Sequence, residues 1–243
     1  MTDEVTANID ASNHNEPHQG DIAVRLNWLR AGVLGANDGI VSTAGIVIGV
    51  AGATSQTAAI VTAGIAGLTA GAMSMAVGEY VSVSSQRDSE RALLAKERRE
   101  LRETPEQELA ELAGMYAAKG LSPDVAQSVA EQLTAIDALA AHAEVELGID
   151  PDTLTSPGHA AWASFLAFVA GALLPLLAMA LFPIGVRVAL TVVAVAFSLG
   201  LTGVVSARLG HTNWMRPVLR NVLGGLVAMA VTYGIGTLVG HAV

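Results

Sequence analysis

The sequence predicts an all-α, polytopic membrane protein with five transmembrane helices and a three-helix cytosolic insert between the second and third spans. Hydrophobic residues make up 52% of the 243 residues and charged residues only 14%, whereas about a quarter of the residues in soluble domains are charged. Five apolar stretches are each about 20 residues or longer, which is enough to cross a bilayer as a helix. The segment 84–158 has no such stretch and holds fifteen acids and seven bases.

Composition also limits the chemistry. The chain has no cysteine, which excludes disulfides and thiolate metal sites. Any metal ligands must therefore be oxygen, imidazole or thioether groups. The net charge of -9 argues against nucleic acid as a partner and favours a cationic substrate.

The first two segments are a polar tail, 1–24, and a pair of spans, 25–83. The tail carries five acids and no base, so it lacks the pattern of a signal peptide and is predicted to be cytosolic. The spans cover about 31–53 and 57–83. Both contain small residues at four-residue spacing, which favours close helix packing within the subunit or across a dimer; these are Gly35/Gly39, Gly45/Gly49 and Gly67/Gly71.

In the insert, 84–158, the helix ends are marked by sequence signals. No helix breaker lies between residues 82 and 103, so the second span is predicted to continue into the insert as one long helix. Thr104-Pro105-Glu106-Gln107 predicts an N-cap, a first-turn proline and a capping-box glutamine for the next helix. Ser122-Pro123 predicts the start of a third helix, which Gly148 ends.

The last segment, 159–243, contains spans at about 160–182, 186–207 and 217–240, and Pro175 is predicted to kink the first of them. With the amino terminus in the cytosol, five spans leave the carboxyl terminus outside. Twelve of the thirteen Lys and Arg residues then lie on the cytosolic side, and only Arg187 lies outside. This distribution follows the positive-inside rule.

Asp38 is the only charged residue in the first span. A carboxylate in mid-membrane costs about 2.5–3.5 kcal/mol on insertion scales, so it should face the protein interior or a water-filled path. In the second span Met75 and Glu79 are four residues apart and share a helix face. Facing Asp38, they would form an oxygen-and-sulfur site for a divalent transition metal. The alternatives are a buried acid and packing methionines with structural roles only.

The insert offers a second set of candidate ligands. Glu97 and Glu100 share one helix face, and Glu108 and Glu111 share another. If the helices fold together the four carboxylates converge, and a divalent cation would neutralise them. A solvated charge face is the simpler alternative for an acidic hairpin in isolation.

On the third helix His142 and Glu146 are four residues apart and can close the same cluster. No Glu-x-x-His pair occurs in the chain, which argues against a di-iron carboxylate bundle.

Residues 29–43 (LRAGVLGANDGIVST), residues 71–86 (GAMSMAVGEYVSVSSQ) and Glu146-Leu147-Gly148 resemble the vacuolar iron transporter family, particularly its short bacterial members. The resemblance covers about residues 18–240. It implies a homodimeric transporter, not an enzyme and without a resident cofactor, that exports ferrous iron and often manganese from the cytosol in exchange for protons. It also implies a multi-pass location in a bacterial plasma membrane, or in a vacuolar membrane if the host is eukaryotic.

The family pattern places Asp38 and Met75 in the transport path and the cytosolic metal ligands at the insert glutamates, which are Glu97, Glu100, Glu108, Glu111 and Glu146. The chain departs from the pattern at two positions. Gly67 stands where members with a second path glutamate have it, so Glu79 is a candidate replacement. His142 stands where a methionine is frequent, and a nitrogen ligand there would favour harder metals.

Two other functions fit parts of the sequence. A membrane-anchored metal sensor or store would use the acidic bundle and would need the spans only as an anchor, but an anchor has no use for Asp38 in mid-membrane. A membrane-bound ferroxidase would need an oxygen-reactive di-iron site, which the missing Glu-x-x-His pairs make the weakest interpretation.

Overall fold

The computed structural model describes residues 19–151 and 153–242, and it describes side-chain surroundings from residue 32 onward. The secondary structure of these residues is helical. The helices are α1 (Gln19–Ala53), α2 (Thr57–Glu103), α3 (Pro105–Ala118), α4 (Pro123–His142), a π-helical turn (Ala143–Leu147), α5 (Pro157–Leu181), α6 (Arg187–Leu209) and α7 (Met215–Ala242). Helices α1, α2, α5, α6 and α7 are long and apolar enough to cross a membrane. The five predicted spans are therefore confirmed.

The amino-terminal tail differs from its prediction at one end. Residues 1–18 lie outside the described residues. Residues 19–24, which were assigned to the polar tail, belong to α1 instead. No proline follows Pro17 until the span is complete, so nothing prevents the helix from extending beyond its apolar part.

Helix α1 lies at the centre of the membrane part and packs against α2, α5, α6 and α7. The main core cluster joins all five helices through buried apolar side chains, among them Val47, Ile60, Met179, Leu199 and Met229. Burial of apolar area contributes little between helices in lipid, so close packing has to supply the stability.

The glycines of α1 supply this close packing. A Cβ atom at Gly39 would collide with the backbone of Phe168 on α5. A Cβ at Gly49 would lie 3.2 Å from the carbonyl oxygen of Thr232 on α7, and a Cβ at Gly236 would collide with Gly49 itself. The four-residue spacing of small residues thus serves contacts within one subunit.

An apolar stripe covers the outer face of α6. Val193, Phe197 and Leu201 recur every four residues and are each more than half exposed. On a soluble protein such a surface would favour association, whereas on a membrane span it is the face that meets lipid. This distribution fits a multi-pass membrane protein.

Arg187, the base predicted on the outer side, is buried at the start of α6. Its guanidinium group donates to the Ser55 carbonyl oxygen at 2.9 Å and to the Thr57 hydroxyl at 3.0 Å. These bonds tie α6 to the turn between α1 and α2.

Between the spans, α2 is one continuous helix of 47 residues, or about 70 Å at 1.5 Å per residue. Its continuation beyond the second apolar stretch is therefore confirmed. Helices α3 and α4 pack against each other through a small core that includes Leu112, Ala130 and Ala141. Helix α5 begins at Pro157 and stays helical through Pro175.

The predicted capping box at Thr104 is wrong. Pro105 occupies the first turn of α3, but the Thr104 side chain makes no cap hydrogen bond. Its hydroxyl donates instead to the Glu100 carbonyl oxygen at 3.1 Å and lies 3.4 Å from Oε1 of Glu108. Because α3 follows α2 directly, the hydroxyl is within reach of the last turn of α2 and bonds there.

The prediction of one regular helix from Pro123 to Gly148 is also wrong. Asp137 has φ -157° and ψ 100°, which interrupts α4, and the π-helical turn follows His142. Gly148 ends the segment in the left-handed conformation with φ 64°, as its predicted role requires. No glycine or proline marks the break; the local signal is Asp137 itself, a residue type favoured at helix N-caps.

Candidate metal centre and membrane cleft

Three side chains from three different helices meet in the small core of the insert. Glu97 of α2, Glu108 of α3 and His142 of α4 are buried, with exposed fractions of 3%, 8% and 0%. One ligand atom from each lies within 4.8 Å of the others. Two carboxylates and an imidazole are suitable ligands for a divalent transition metal.

The polar atoms of this cluster lack ordinary partners. Nδ1 of His142 lies 3.1 Å from Oε1 of Glu97, 4.0 Å from Oε2 of Glu108 and 3.8 Å from Oε2 of Glu146. Even so, Oε1 of Glu97 and both ring nitrogens of His142 are buried without a hydrogen bond. Buried polar atoms of this kind call for a specific explanation. A cation between the carboxylates and the ring would satisfy Oε1 of Glu97 and Nδ1 of His142.

The electrostatics of the cluster also favour a cation. The pKa of Glu97 is raised from 4.5 to about 7, first by burial of the carboxyl group and then by the negative charges of Glu146, Glu108 and Glu100. Lys96 opposes this shift only weakly. A carboxylate whose ionised form is this unfavourable gains strongly from a bound proton or metal ion.

The six predicted insert ligands occupy different positions. Glu97, Glu108 and His142 form the centre, and Glu146 lies at its edge with 31% of its side chain exposed. Glu100 is half-buried and pairs with Lys96 at 2.9 Å. Glu111 is exposed, and the structure does not bring it into the group of three. His142 was predicted to close the cluster from one side, but it lies in the middle.

A second candidate site lies between the membrane helices. Asp38 of α1 and Met75 of α2 line a cleft of about 530 Å³. Oδ1 of Asp38 accepts a hydrogen bond from the Ser42 hydroxyl at 3.2 Å. Asp38 is exposed in the single subunit. Glu79, one turn after Met75 on α2, is half-buried and is not among the residues that line the cleft.

Helix α7 adds residues to this cleft that the sequence patterns did not single out. Arg220 and Asn221 lie in its wall together with Asn37 of α1. The sequence predicts Arg220 only as one of the bases on the cytosolic side. Asn37 directly precedes Asp38 in the α1 motif, so its position in the sequence could have indicated that it lies in the cleft. Its Oδ1 accepts a hydrogen bond from the Thr202 hydroxyl at 3.4 Å.

Gly67 lies against α1. A Cβ atom there would collide with Cδ1 of Ile46. Because this atom is the end of a flexible side chain, a larger residue at position 67 would need only Ile46 to change its conformation.

Comparison with known families identifies the chain. A model of the VIT family matches residues 29–237. The chain belongs to the VIT family. The matched range contains both candidate sites, all of α2, α5 and α6, and most of α1 and α7.

Several named members of the VIT family are similar over most of their length. A vacuolar iron transporter of Acanthamoeba castellanii is 43% identical over 228 residues, covering 92% of this chain and 82% of the relative. Vacuolar iron transporter homolog 5 of rice (Oryza sativa subsp. japonica) is 38% identical, covering 88% and 82%. Vacuolar iron transporter homolog 2.1 of Arabidopsis thaliana is 35% identical, covering 98% of both chains.

Proposed function

We propose that this VIT-family chain moves a divalent transition metal, ferrous iron or manganese, out of the cytosol. The observation that carries the proposal is the cleft in which Asp38 and Met75 lie between membrane helices. A charged group at that depth is costly unless it serves a path or a ligand. The names of the relatives, which include vacuolar iron transporters, support metal as the cargo.

The insert supplies metal to this path. With the insert on the cytosolic side, the centre formed by Glu97, Glu108 and His142 binds the ion first, and the surrounding acids raise the local cation concentration. Glu79 lies on α2 between this centre and Met75. It provides an acid on the way from one site to the other.

Proton exchange completes the cycle. A carboxylate binds metal well only when it is deprotonated. Protonation of Asp38 from the outer side therefore releases the ion, and loss of the proton to the cytosol resets the site. Export coupled in this way is proton antiport.

A second copy of the chain closes the open side of the cleft. The exposed position of Asp38 in one subunit is unfavourable against lipid, and a homodimer removes that exposure. The relatives named vacuolar iron transporters favour an internal membrane, whereas the expectation from the sequence motifs is a bacterial plasma membrane. In either membrane the metal leaves the cytosol.

The test is metal flux in proteoliposomes under an imposed proton gradient, with ferrous iron and manganese compared. Asp38→Asn should abolish gradient-driven flux of both ions because it removes the charged ligand and the proton acceptor together. Ser42→Ala, which deletes only the hydrogen-bond donor to Asp38, is the matched control and should retain most of the flux. Unchanged flux and pH dependence in Asp38→Asn would refute the mechanism.

A membrane-anchored metal sensor or store is the second candidate function. The observation in its favour is the complete metal centre outside the cleft. It predicts stoichiometric metal binding that Glu97→Gln abolishes and no flux of either ion. The same proteoliposomes, assayed for binding and for flux, separate the two functions.

A further inference from the structure

The break in α4 has the geometry of a helix start. Asp137 has extended backbone angles inside the helix, and its Oδ1 accepts a hydrogen bond from the backbone N–H of Ala140 at 3.0 Å. An N-cap residue has extended angles and accepts a bond from an N–H two or three residues later. Asp137 therefore caps a second helical segment that begins at Ala138.

This second segment carries two of the candidate metal ligands. It runs through His142 and the π-helical turn at Ala143–Leu147. Gly148 ends it with φ 64°, and the Ile149 N–H bonds the Ala143 carbonyl oxygen at 2.9 Å. Both ends of the segment are thus fixed by hydrogen bonds. Between them lie His142, in the middle of the metal centre, and Glu146 at its edge.

We propose that Asp137 is a positioning residue for the metal centre. Its cap sets the direction in which the segment leaves the break. That direction places Nδ1 of His142 3.1 Å from Oε1 of Glu97 and 4.0 Å from Oε2 of Glu108. The role rests on the proposed binding of metal at this centre, but not on transport.

The position of His142 depends on the helical register of the residues that follow Asp137. A regular helix through Asp137 would rotate every later residue around the α4 axis, and His142 would leave its position between α2 and α3. π-Helical turns are rare and are frequently found at functional sites. The π-helical turn next to His142 therefore also supports a functional role for this segment. Residues that orient a metal ligand without touching the metal typically change affinity about 10- to 100-fold when they are replaced.

Two substitutions distinguish the hydrogen-bonding role of the Asp137 side chain from the effect of its charge. Asp137→Asn keeps an oxygen at the same position and removes the charge. Asp137→Glu keeps the charge and displaces the oxygen by one methylene. Glu131→Gln is the matched control, because Glu131 is an exposed acid on α4 whose contact is with Gln127 at 2.8 Å. Each change is small enough to preserve the fold, and thermal unfolding of the metal-free protein checks this directly.

The experiment titrates the purified full-length protein with Co²⁺ and follows visible absorption, which reports the ligands and geometry around the ion. We expect about tenfold weaker binding and an altered spectrum in Asp137→Glu, with near-normal binding and spectrum in Asp137→Asn and Glu131→Gln. Normal binding in Asp137→Glu would overturn the inference, as would an equal loss in Asp137→Asn. If the unaltered protein bound no Co²⁺, the assignment of the metal centre would be wrong. Both this inference and the proposed route of metal supply would then be rejected.

Discussion

At the scale of single residues, the candidate metal centre concentrates negative charge in a buried place. Glu97 is buried beside other carboxylates, and the ring of His142 offers it no well-formed hydrogen bond. Glu108 is held differently, because the Thr104 hydroxyl lies beside one of its oxygens while the other is turned toward His142. The centre is therefore organised before metal arrives, which reduces the cost of ordering its ligands on binding.

The raised pKa of Glu97 predicts how stability depends on pH. Between its unfolded value of 4.5 and its folded value of about 7, the folded protein holds a proton that the unfolded chain has lost. Stability is then lost as pH rises through this window. We expect the thermal midpoint of the metal-free protein to fall between pH 5 and 7.5, and to fall less in Glu97→Gln.

The control for this prediction is Glu111→Gln, since Glu111 is exposed on the neighbouring helix. It should follow the unaltered protein at every pH. A pH profile of Glu97→Gln that matches the unaltered protein would contradict the role of Glu97. Metal affinity should run in the opposite direction and rise with pH up to about 7, because metal and proton compete for the same carboxylate.

Among the residues whose side chains the structure describes, Arg220 is the one cation that lines the Asp38 cleft. A fixed positive charge about 10 Å from a passing divalent ion raises its energy by a few kcal/mol at an effective dielectric constant of about 20, and less where water enters. Arg220→Gln should therefore lower the KM for metal flux about three- to tenfold at low salt. Added salt should shrink this difference.

Arg216→Gln is the matched control, since Arg216 lies one turn earlier on α7 and outside the cleft lining. Equal effects of the two changes on KM would mean that general surface charge, and not the cleft, controls the flux.

At the scale of helices, the membrane part is held by backbone contacts at glycines. Gly236 of α7 lies against Gly49 of α1, whereas Gly234, on the same helix, has open space around the position of a Cβ atom. Gly236→Ala should destabilise the protein by about 1–3 kcal/mol through overpacking. Gly234→Ala should be neutral or slightly stabilising, since alanine favours helix over glycine. Thermal unfolding in detergent measures both, and equal midpoints would contradict this packing.

The sequence predicts the helices better than it predicts their irregularities. Apolar length, Pro105, Pro123 and Gly148 mark where helices run, start and end. The break at Asp137 is different, because residues 134–140 (TAIDALA) contain no proline or glycine. Asp137 is of a type favoured at helix N-caps, but whether an aspartate inside a helix caps a new segment depends on how the following residues pack against α2 and α3, which local propensity does not encode.

The candidate ligands show the same limit. Three-residue spacing predicts that Glu97 shares a face with Glu100, and Glu108 with Glu111, but in the structure only Glu97 and Glu108 are buried. It cannot say which member of each pair points inward, because that depends on how α2 and α3 cross. The cleft wall on α7 is further from prediction, since Arg220 is distant in sequence from Asp38 and no local pattern connects them.

At the scale of the whole molecule, the proposed direction of transport depends on orientation in the membrane. The natural chain has no cysteine, so single cysteines can be introduced without further changes. Gly185 lies in the connection between α5 and α6, and Lys119 follows α3; both residues are exposed. Each is replaced by cysteine in a separate variant, Gly185→Cys and Lys119→Cys. In intact bacterial cells, an impermeant maleimide should label Gly185→Cys and spare Lys119→Cys.

Permeabilised cells provide the control, in which both variants should be labelled. Labelling of Lys119→Cys in intact cells would place the insert outside, and the metal would then have to be collected from the opposite side.

Because α2 is one unbroken helix, a movement at one of its ends is transmitted to the other. Met75 in the cleft and Glu97 in the metal centre stand on the same rod, 22 residues or about 33 Å apart along its axis. A tilt of about 5° around one end moves the other by about 3 Å, more than the length of a typical metal–oxygen bond. A change in the ligands around Glu97 that tilts α2 would therefore also change the width of the cleft beside Met75.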